Sequence, residues 1–572
     1  MLNTDTFSEV YLITNSERGH LMLKNLRSKR QIMVRRLALL ALAGPCYSAH
    51  AFEINTGNPD VVVRWDNTVR YNVGVRAQER DNRIVNTATG ANSDLKFDRG
   101  DVITNRVDVL SEFDAVYQNR LGFRVSGQGW YDNAYQDDKE VLNPANPIPA
   151  YPNGQYDRYT KRYNAGPAAE FLDYFVFAKF NFGDIENNVK LGSHNLYWGE
   201  SLFSFIHGVS YSQGPVDIRK AVATPGIEAK ELFKPLKQFS FTSQLAPTLS
   251  VSGQYFFDWK PSQFPDGGTY WGIFDAVHGA GGTVLPSGYP WVGANHVPKD
   301  KSGDWGLMAK WSPEFLGGTM GFYYREYTDK LPLFANGTAG VGGFTGLGHD
   351  YTDKRAKIYG VSLAKNVAGV AVGAEVVYRQ GTNLLMSDLL MVGKEPVGNT
   401  FHALVNAVGY AGKTALFDSM VWMGELTYSR LDKVTANADM YRSVANCNLP
   451  GFSSASSGAG TLGCSTRDSL GIAVKVEPKW FQVLDGVDLS MPLFYTTGLK
   501  GTSPVLFGGY EGNGSYSAGL SADYLNKYNF ALAYNGVFAK KKEGPGSTIA
   551  DTGGIGYWWD RANVTFTFKT TF

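Results

Sequence analysis

The sequence predicts an all-β fold: a single transmembrane antiparallel β-barrel of about 18 strands (range 14 to 18), with long extracellular loops and short periplasmic turns. Three observations carry that prediction. Apolar and polar residues alternate with period two along the whole mature chain. The gaps between alternating segments are long and short in turn. The last segment alternates in register and ends on an aromatic residue, Phe572.

Composition removes the competing classes. Hydrophobic residues make up 43%, aromatics 14% and charged residues 19%, with 65 glycines in 572 positions. A soluble domain usually carries about a quarter charged residues and less glycine. Lys+Arg 54 against Asp+Glu 53 leaves a net charge of +1, without the basic excess of a nucleic-acid binder. A mean hydropathy of −0.22, with no mature apolar run of about 18 residues, argues against a helical membrane protein. Aromatic and β-branched residues run throughout, which excludes disorder.

Residues 1–51 are expected to be an export signal, with the true start at Met22 or Met33. Lys24, Arg27, Lys29, Arg30, Arg35 and Arg36 form a basic region before the apolar run 37–43. Ala49-His50-Ala51 is the small-residue cleavage site, leaving Phe52 as the mature N-terminus. The apolar run is too short to span a bilayer. Pro45 before Cys46 argues against a lipoprotein signal. The barrel, residues 52–572, is then expected in the cell outer membrane.

The first strand sets the pattern. Val61, Val63, Trp65, Val69, Tyr71, Val73 and Val75 share one face, and Arg64, Asp66, Thr68, Arg70, Asn72 and Arg76 the other. That set is longer than the five or six residues of a usual strand and suits the ~9–11 of a spanning one. Further segments follow at 106–117, 121–131, 172–182, 189–194, 238–245, 249–259, 305–311, 318–326, 357–365, 370–378, 401–410, 418–430, 470–478, 487–495, 517–524, 529–538 and 562–572. In 172–182 the apolar face reads Leu172, Tyr174, Val176, Ala178, Phe180 and Phe182. Short gaps such as 118–120, 246–248 and 366–369 alternate with long ones such as 132–171, 195–237 and 260–304. A sandwich or propeller has no reason to keep that parity. The last strand resembles the signal by which barrel-insertion machinery recognises its substrates, which makes that machinery, through Phe572, an expected partner.

Two mature cysteines, Cys447 and Cys464, lie in one Ser/Gly/Asn-rich stretch. They are candidates for a disulfide across a short loop; two unpaired thiols are the alternative. Neither is read as catalytic, since no histidine stands nearby.

The polar face gives the candidate lumen: Arg64, Asp66, Arg70, Arg124, Asp173, Lys179, Glu375, Arg379 and Glu425, joined by Arg106, Asp108, Glu112, Lys190 and His402. Both signs occur in similar numbers. They read either as a self-neutralising ladder or as a conduit with basic and acidic sides. Phe175 and Phe177 are apolar at inward positions and require a cover, either protein or solute. The 195–237 connection is the candidate plug. Ile218, Ile227, Leu232 and Phe233 make it too apolar for a solvated loop, and 226–232 is expected to form a short helix. It is expected to fold inward and constrict the pore.

Little in the sequence suggests chemistry. Residues 407–414 fit a loose phosphate-loop pattern, but they span a strand end and a turn, where a helix would be required. The mature histidines lack metal-ligand spacing. No catalytic residue, metal or cofactor is expected, and an enzyme is the least favoured class.

Several stretches resemble a known family. They are Phe52-Glu53-Ile54-Asn55-Thr56-Gly57-Asn58-Pro59-Asp60 with Arg64-Trp65-Asp66-Asn67-Thr68, then Gly192 with Trp198-Gly199-Glu200, Pro225-Gly226 with Lys230-Glu231, and Asp560-Arg561. They are similar to the proteobacterial outer-membrane family filed as domain of unknown function 1302. The chain departs from it at Ser193 and His194, where the family usually has Arg and Gln. The resemblance implies a barrel and hydrophobic cargo.

The expected function is therefore a channel passing small, amphipathic or hydrophobic molecules passively across the outer membrane. The alternative is a surface-exposed interaction or adhesion barrel, using loops such as 260–304 with Trp259, Trp271 and Trp291. Expected partners are outer-membrane lipid and lipopolysaccharide, the solute itself, and periplasmic or inner-membrane transport proteins.

Overall fold

The computed structural model describes residues 52–572 except 87–90, 145–148, 150, 273–282, 285–289, 292–296, 338–345, 387–389, 392–393, 448–460, 545–547 and 550–553. The expected signal, residues 1–51, lies outside the described residues, as does much of the 260–304 loop.

Eighteen strands form the wall. They are β1 Val61–Arg76, β2 Val102–Tyr117, β3 Leu121–Asp132, β4 Ala168–Phe182, β5 Ile185–His194, β6 Leu236–Ala246, β7 Leu249–Phe256, β8 Trp305–Trp311 and β9 Gly318–Thr328. There follow β10 Arg355–Val367, β11 Val370–Asn383, β12 Val397–Ala411, β13 Ser419–Ala436, β14 Asp468–Leu484, β15, β16 Gly514–Tyr524, β17 Tyr528–Phe538 and β18 Asn563–Thr571. β15 comes in two pieces, Val487–Ser490 and Leu493–Lys500, because Pro492 between them has no N–H for the ladder. Each strand pairs antiparallel with its neighbours in sequence. β18 then pairs with β1, so the sheet closes and leaves no edge. The seam ends where Asn67 and Phe572 exchange two backbone hydrogen bonds, of 2.8 and 2.9 Å.

Short connections, such as 118–120, 183–184 and 485–486, gather at one end, and long ones such as 133–167, 195–235 and 257–304 at the other. These are the turn end and the loop end below. Outward positions carry Phe123, Val176, Leu191, Val361, Val405, Leu520 and Leu532, each more than a third exposed. Exposed aromatics flank that belt: Trp65, Phe182 and Tyr410 toward the turn end, Tyr255, Phe257 and Tyr495 toward the loop end. So large an exposed apolar surface needs hydrocarbon around it.

One expected face changes. Leu172 does not share the outward face of Tyr174; it is buried, while Phe171 points out. The register slips between the pairs Val125–Tyr174 and Gly127–Phe171, and the Asp173 N–H donates to Ser126 Oγ at 3.0 Å instead of to the ladder. A β-bulge thus turns two successive residues, Leu172 and Asp173, inward. The 407–414 stretch covers the end of β12 and the following turn, and no helix follows it.

Candidate functional site: the lumen and its inward loop

The 195–235 connection touches inward residues of β1, β2, β9, β11, β12, β13 and β18. A segment reaching that many strands of a closed barrel from one side can only lie in the lumen. Its hooks are mostly wall side chains gripping loop backbone. Glu375 on β11 accepts from the N–H of Glu200 (2.7 Å) and of Val209. Glu425 on β13 accepts from the N–H groups of Leu202, Phe203 and Ser204 at 2.7, 3.2 and 2.7 Å. Arg325 on β9 donates to the carbonyls of Val209 and Tyr211, both at 2.7 Å. Arg379 on β11 donates to the carbonyls of Ile206 and Gly208, with its guanidinium 3.9 Å from the centre of the Tyr211 ring. A loop without periodic structure leaves its backbone groups unpaired, and these wall charges satisfy them.

The second half of the loop is held by ion pairs. Two short helices, Ile218–Ala223 and Ala229–Leu232, replace the single helix expected over 226–232. A wider turn at Thr224–Ile227 separates them. Glu231 pairs with Arg70 at 2.5 Å, both almost fully buried. Lys230 pairs with Glu112, which also meets Arg124 at 3.0 Å, and Lys569 reaches Glu228. Toward the loop end, Asp217 sits between Arg219 (2.9 Å) and Lys234 (3.2 Å), and Lys220 pairs with Glu170. Burial alone would raise the Asp217 carboxyl, but Arg219 and Lys234 outweigh it and hold it well below the usual carboxylate range.

The candidate residues divide by height in the barrel. Arg70, Glu375, Arg379 and Glu425 are buried under the loop, at most 2% exposed. Nearer the turn end, Arg64 and Lys179 are exposed, Asp66, Phe175 and Phe177 are half-buried, and Arg124 joins Glu112 and Asp114. Asp173 lies at the bulge. The four loop residues singled out for their apolarity, Ile218, Ile227, Leu232 and Phe233, are all half-buried; Phe233 packs on Tyr197 (4.7 Å between ring centres) and Phe205 (5.8 Å). Cys447 and Cys464 are joined in a disulfide, with Cα atoms 6.2 Å apart.

Two groups escaped the sequence reading. Arg325 falls in an alternating segment and was open to the same reasoning as Arg379. His207 sits in the loop and meets His402 across 3.0 Å. The donor order there is fixed by its ends. The Gly508 carbonyl only accepts, so His207 donates to it from Nε2 (2.9 Å) and accepts at Nδ1 from His402. His402 in turn accepts at Nε2 from the Thr400 hydroxyl (2.9 Å). Both rings are neutral in this arrangement. No group of three or more metal-ligating side chains occurs among the described residues.

A family model described as protein of unknown function, DUF1302, matches residues 32–572. The chain belongs to that family. No curated protein matches it. Among solved structures, it is similar to OccK1 (OpdK) of Pseudomonas aeruginosa at 11% identity, over 89% of this chain and 98% of that one, with a TM-score of 0.38. It is also similar to OccAB4 of Acinetobacter baumannii (10%, 90% and 100%, TM-score 0.41) and to a BenF-like porin of Pseudomonas fluorescens (10%, 89% and 99%, TM-score 0.39). At those values none of the three bears on what this chain carries.

The stretches that resemble the DUF1302 family have structural work in this lumen. Gly199, at φ +94°, lies against the Glu375 carboxylate, where any side chain would collide. Trp198 packs on Tyr323, Glu231 holds Arg70, and Arg561, just before β18, donates to the Tyr270 and Gly272 carbonyls of the 257–304 connection. Asn67 closes the seam.

Proposed function

We propose that this chain is an outer-membrane channel through which small or amphipathic molecules pass passively, with the 195–235 loop as its constriction. The observation that supports this reading is the combination of an apolar outer belt with a charged inner face on which a loop is held by non-covalent bonds alone. A purely structural plug has no need of the exposed charges, Arg64 and Lys179, that stand on the inner wall beyond the loop. Residues 1–51 act as the export signal in this reading, and the Phe572 strand is what the insertion machinery recognises. The chain has no assigned catalytic step.

Planar-bilayer recording tests it. The intact protein is expected to show brief, small openings, and a variant with residues 198–232 replaced by a short Gly/Ser linker a steady, larger conductance. A folded, loop-deleted barrel that conducts nothing contradicts the channel. The tight filling at the loop end favours a second reading, a closed interaction barrel, and that null result would support it.

A further inference from the structure

Glu200 stands apart from the other carboxylates of the inward loop. Asp217, Glu228 and Glu231 each meet a cation: Arg219, Lys569 and Arg70. Among the described residues Glu200, which is half-buried, has no basic group within 4.0 Å. The Ser362 hydroxyl donates to its Oε1 at 3.3 Å, and its Oε2 accepts no hydrogen bond. The neighbouring acid, Glu375, is engaged by the N–H groups of Glu200 and Val209.

A cavity beside it holds a second charge in the same condition. It measures about 300 Å³ and lies on the inner wall of β6 to β10. Glu200, Lys310, Thr248, Ser250, Ser312 and Thr319 share its lining, and its only apolar lining residues are Pro247 and Ala364. Pro247 and Thr248 form the β6–β7 turn and Ser312 begins the β8–β9 turn, so the cavity reaches from the loop to the turn-end rim. Lys310, on β8, lies between Ser250 and Gly321, neither of them charged. Among the described residues no carboxylate, Glu200 included, comes within 4.0 Å of its ammonium. One cation and one anion thus face a single polar space without pairing.

We propose that this cavity binds small zwitterions, molecules of amino-acid size with one ammonium and one carboxylate. The solute's carboxylate goes to Lys310 and its ammonium to Glu200, with the wall hydroxyls around the stretch between. A charge-assisted hydrogen bond at each end is the contact that both protein groups lack. A singly charged molecule satisfies one end and turns an apolar tail toward the other charge, where there is little apolar wall to receive it. The volume lies at the small end for ligand cavities, which suits a solute of that size. The proposal rests on the channel reading and deepens it by naming a cargo class.

Isothermal titration calorimetry on the detergent-solubilised full chain tests it, with 4-aminobutanoate, butanoate and butylamine as probes. The zwitterion is expected to bind about tenfold tighter than either singly charged molecule, as one charge-assisted contact allows. Lys310→Gln and Glu200→Gln should each lower its affinity by about the same factor. Lys310→Glu sets two acids on the cavity and should turn the preference to butane-1,4-diamine, a gain that a misfolded barrel cannot show. The proposal is overturned if 4-aminobutanoate does not bind, or if butanoate or butylamine binds equally well. It is also overturned if either Gln variant keeps the full affinity, or if Lys310→Glu still prefers the zwitterion. Binding is read without ion flow, and the conductance of the loop-deleted barrel is measured separately, so the site can fail while the channel stands.

Discussion

In the half of the lumen toward the loop end, Arg325, Ile358, Arg379 and His402 are shut away from solvent. In the half toward the turn end, Arg64 and Lys179 stand in the open and Lys190 and Lys310 are half-exposed. The two halves are built by the same strands, with the same alternation and the same residue types. What differs is the cover. Where loop 195–235 lies, an inward charge is a structural group that holds backbone; where it does not, the same kind of charge faces an aqueous space. Period two marks a residue as inward, but it does not tell which of these it becomes.

The comparison breaks most completely if the loop is released. Glu375→Ala with Glu425→Ala strands five loop N–H groups, each costing ~1–3 kcal/mol if left buried without a partner. The loop is expected to leave the wall rather than bear that. A cysteine at Ile358, silent to thiol reagents in the otherwise native chain, should then label at a rate near that of one at Lys179. If Ile358→Cys stays silent, the carboxylates do not hold the loop.

A smaller effect is expected at the ion pair. Arg70→Met leaves the buried Glu231 carboxylate without its ion-pair partner, with only the Glu228 N–H still donating to it, and should destabilise by about 3–5 kcal/mol. Arg70→Met with Glu231→Met should recover most of that. Thermal unfolding of the detergent-solubilised barrel reads both. Two equal losses would mean that the pair, and not the stranded charge, carries the energy.

The mildest lever is pH. Burial, and then the charge of Arg379, push His207 down to about 4. A ring kept neutral when packed and free to protonate when released favours the packed loop fully above about pH 6.5. That advantage falls by about 1.4 kcal/mol per unit as pH drops from there toward 4. Openings should therefore become more frequent in acid, and His207→Gln should flatten the dependence. A channel that closes as pH falls would have the sign reversed.

How much of this could be read beforehand follows from where each residue sits. Arg70, Glu375, Arg379 and Glu425 lie in alternating segments, so their direction was legible, and so was the strand count. Their partners were not. Val209, Ser204 and Ile206 contribute only backbone atoms, which no residue type advertises. His207 and the Asp217–Arg219–Lys220 group lie in a loop without period. The inward turn of Leu172 comes from a bulge, and its one trace in the sequence is the apolar Phe171 on the wrong parity beside Tyr174. The loop's apolar residues suggested packing, yet the wall holds it chiefly through charges on polar backbone.

Passage through the lumen is set by whether this loop closes the pore. Gly360 on β10 faces Val209 so closely that a Cβ there would collide with the valine side chain, which places the two for a disulfide. Single-channel recording of Val209→Cys with Gly360→Cys, before and after reductant and beside the parent protein treated alike, tests closure most directly. No openings while the bond is intact, and their return on reduction in the double variant, is the predicted result. Openings that continue with the bond formed would show that ions pass by a route the loop does not control.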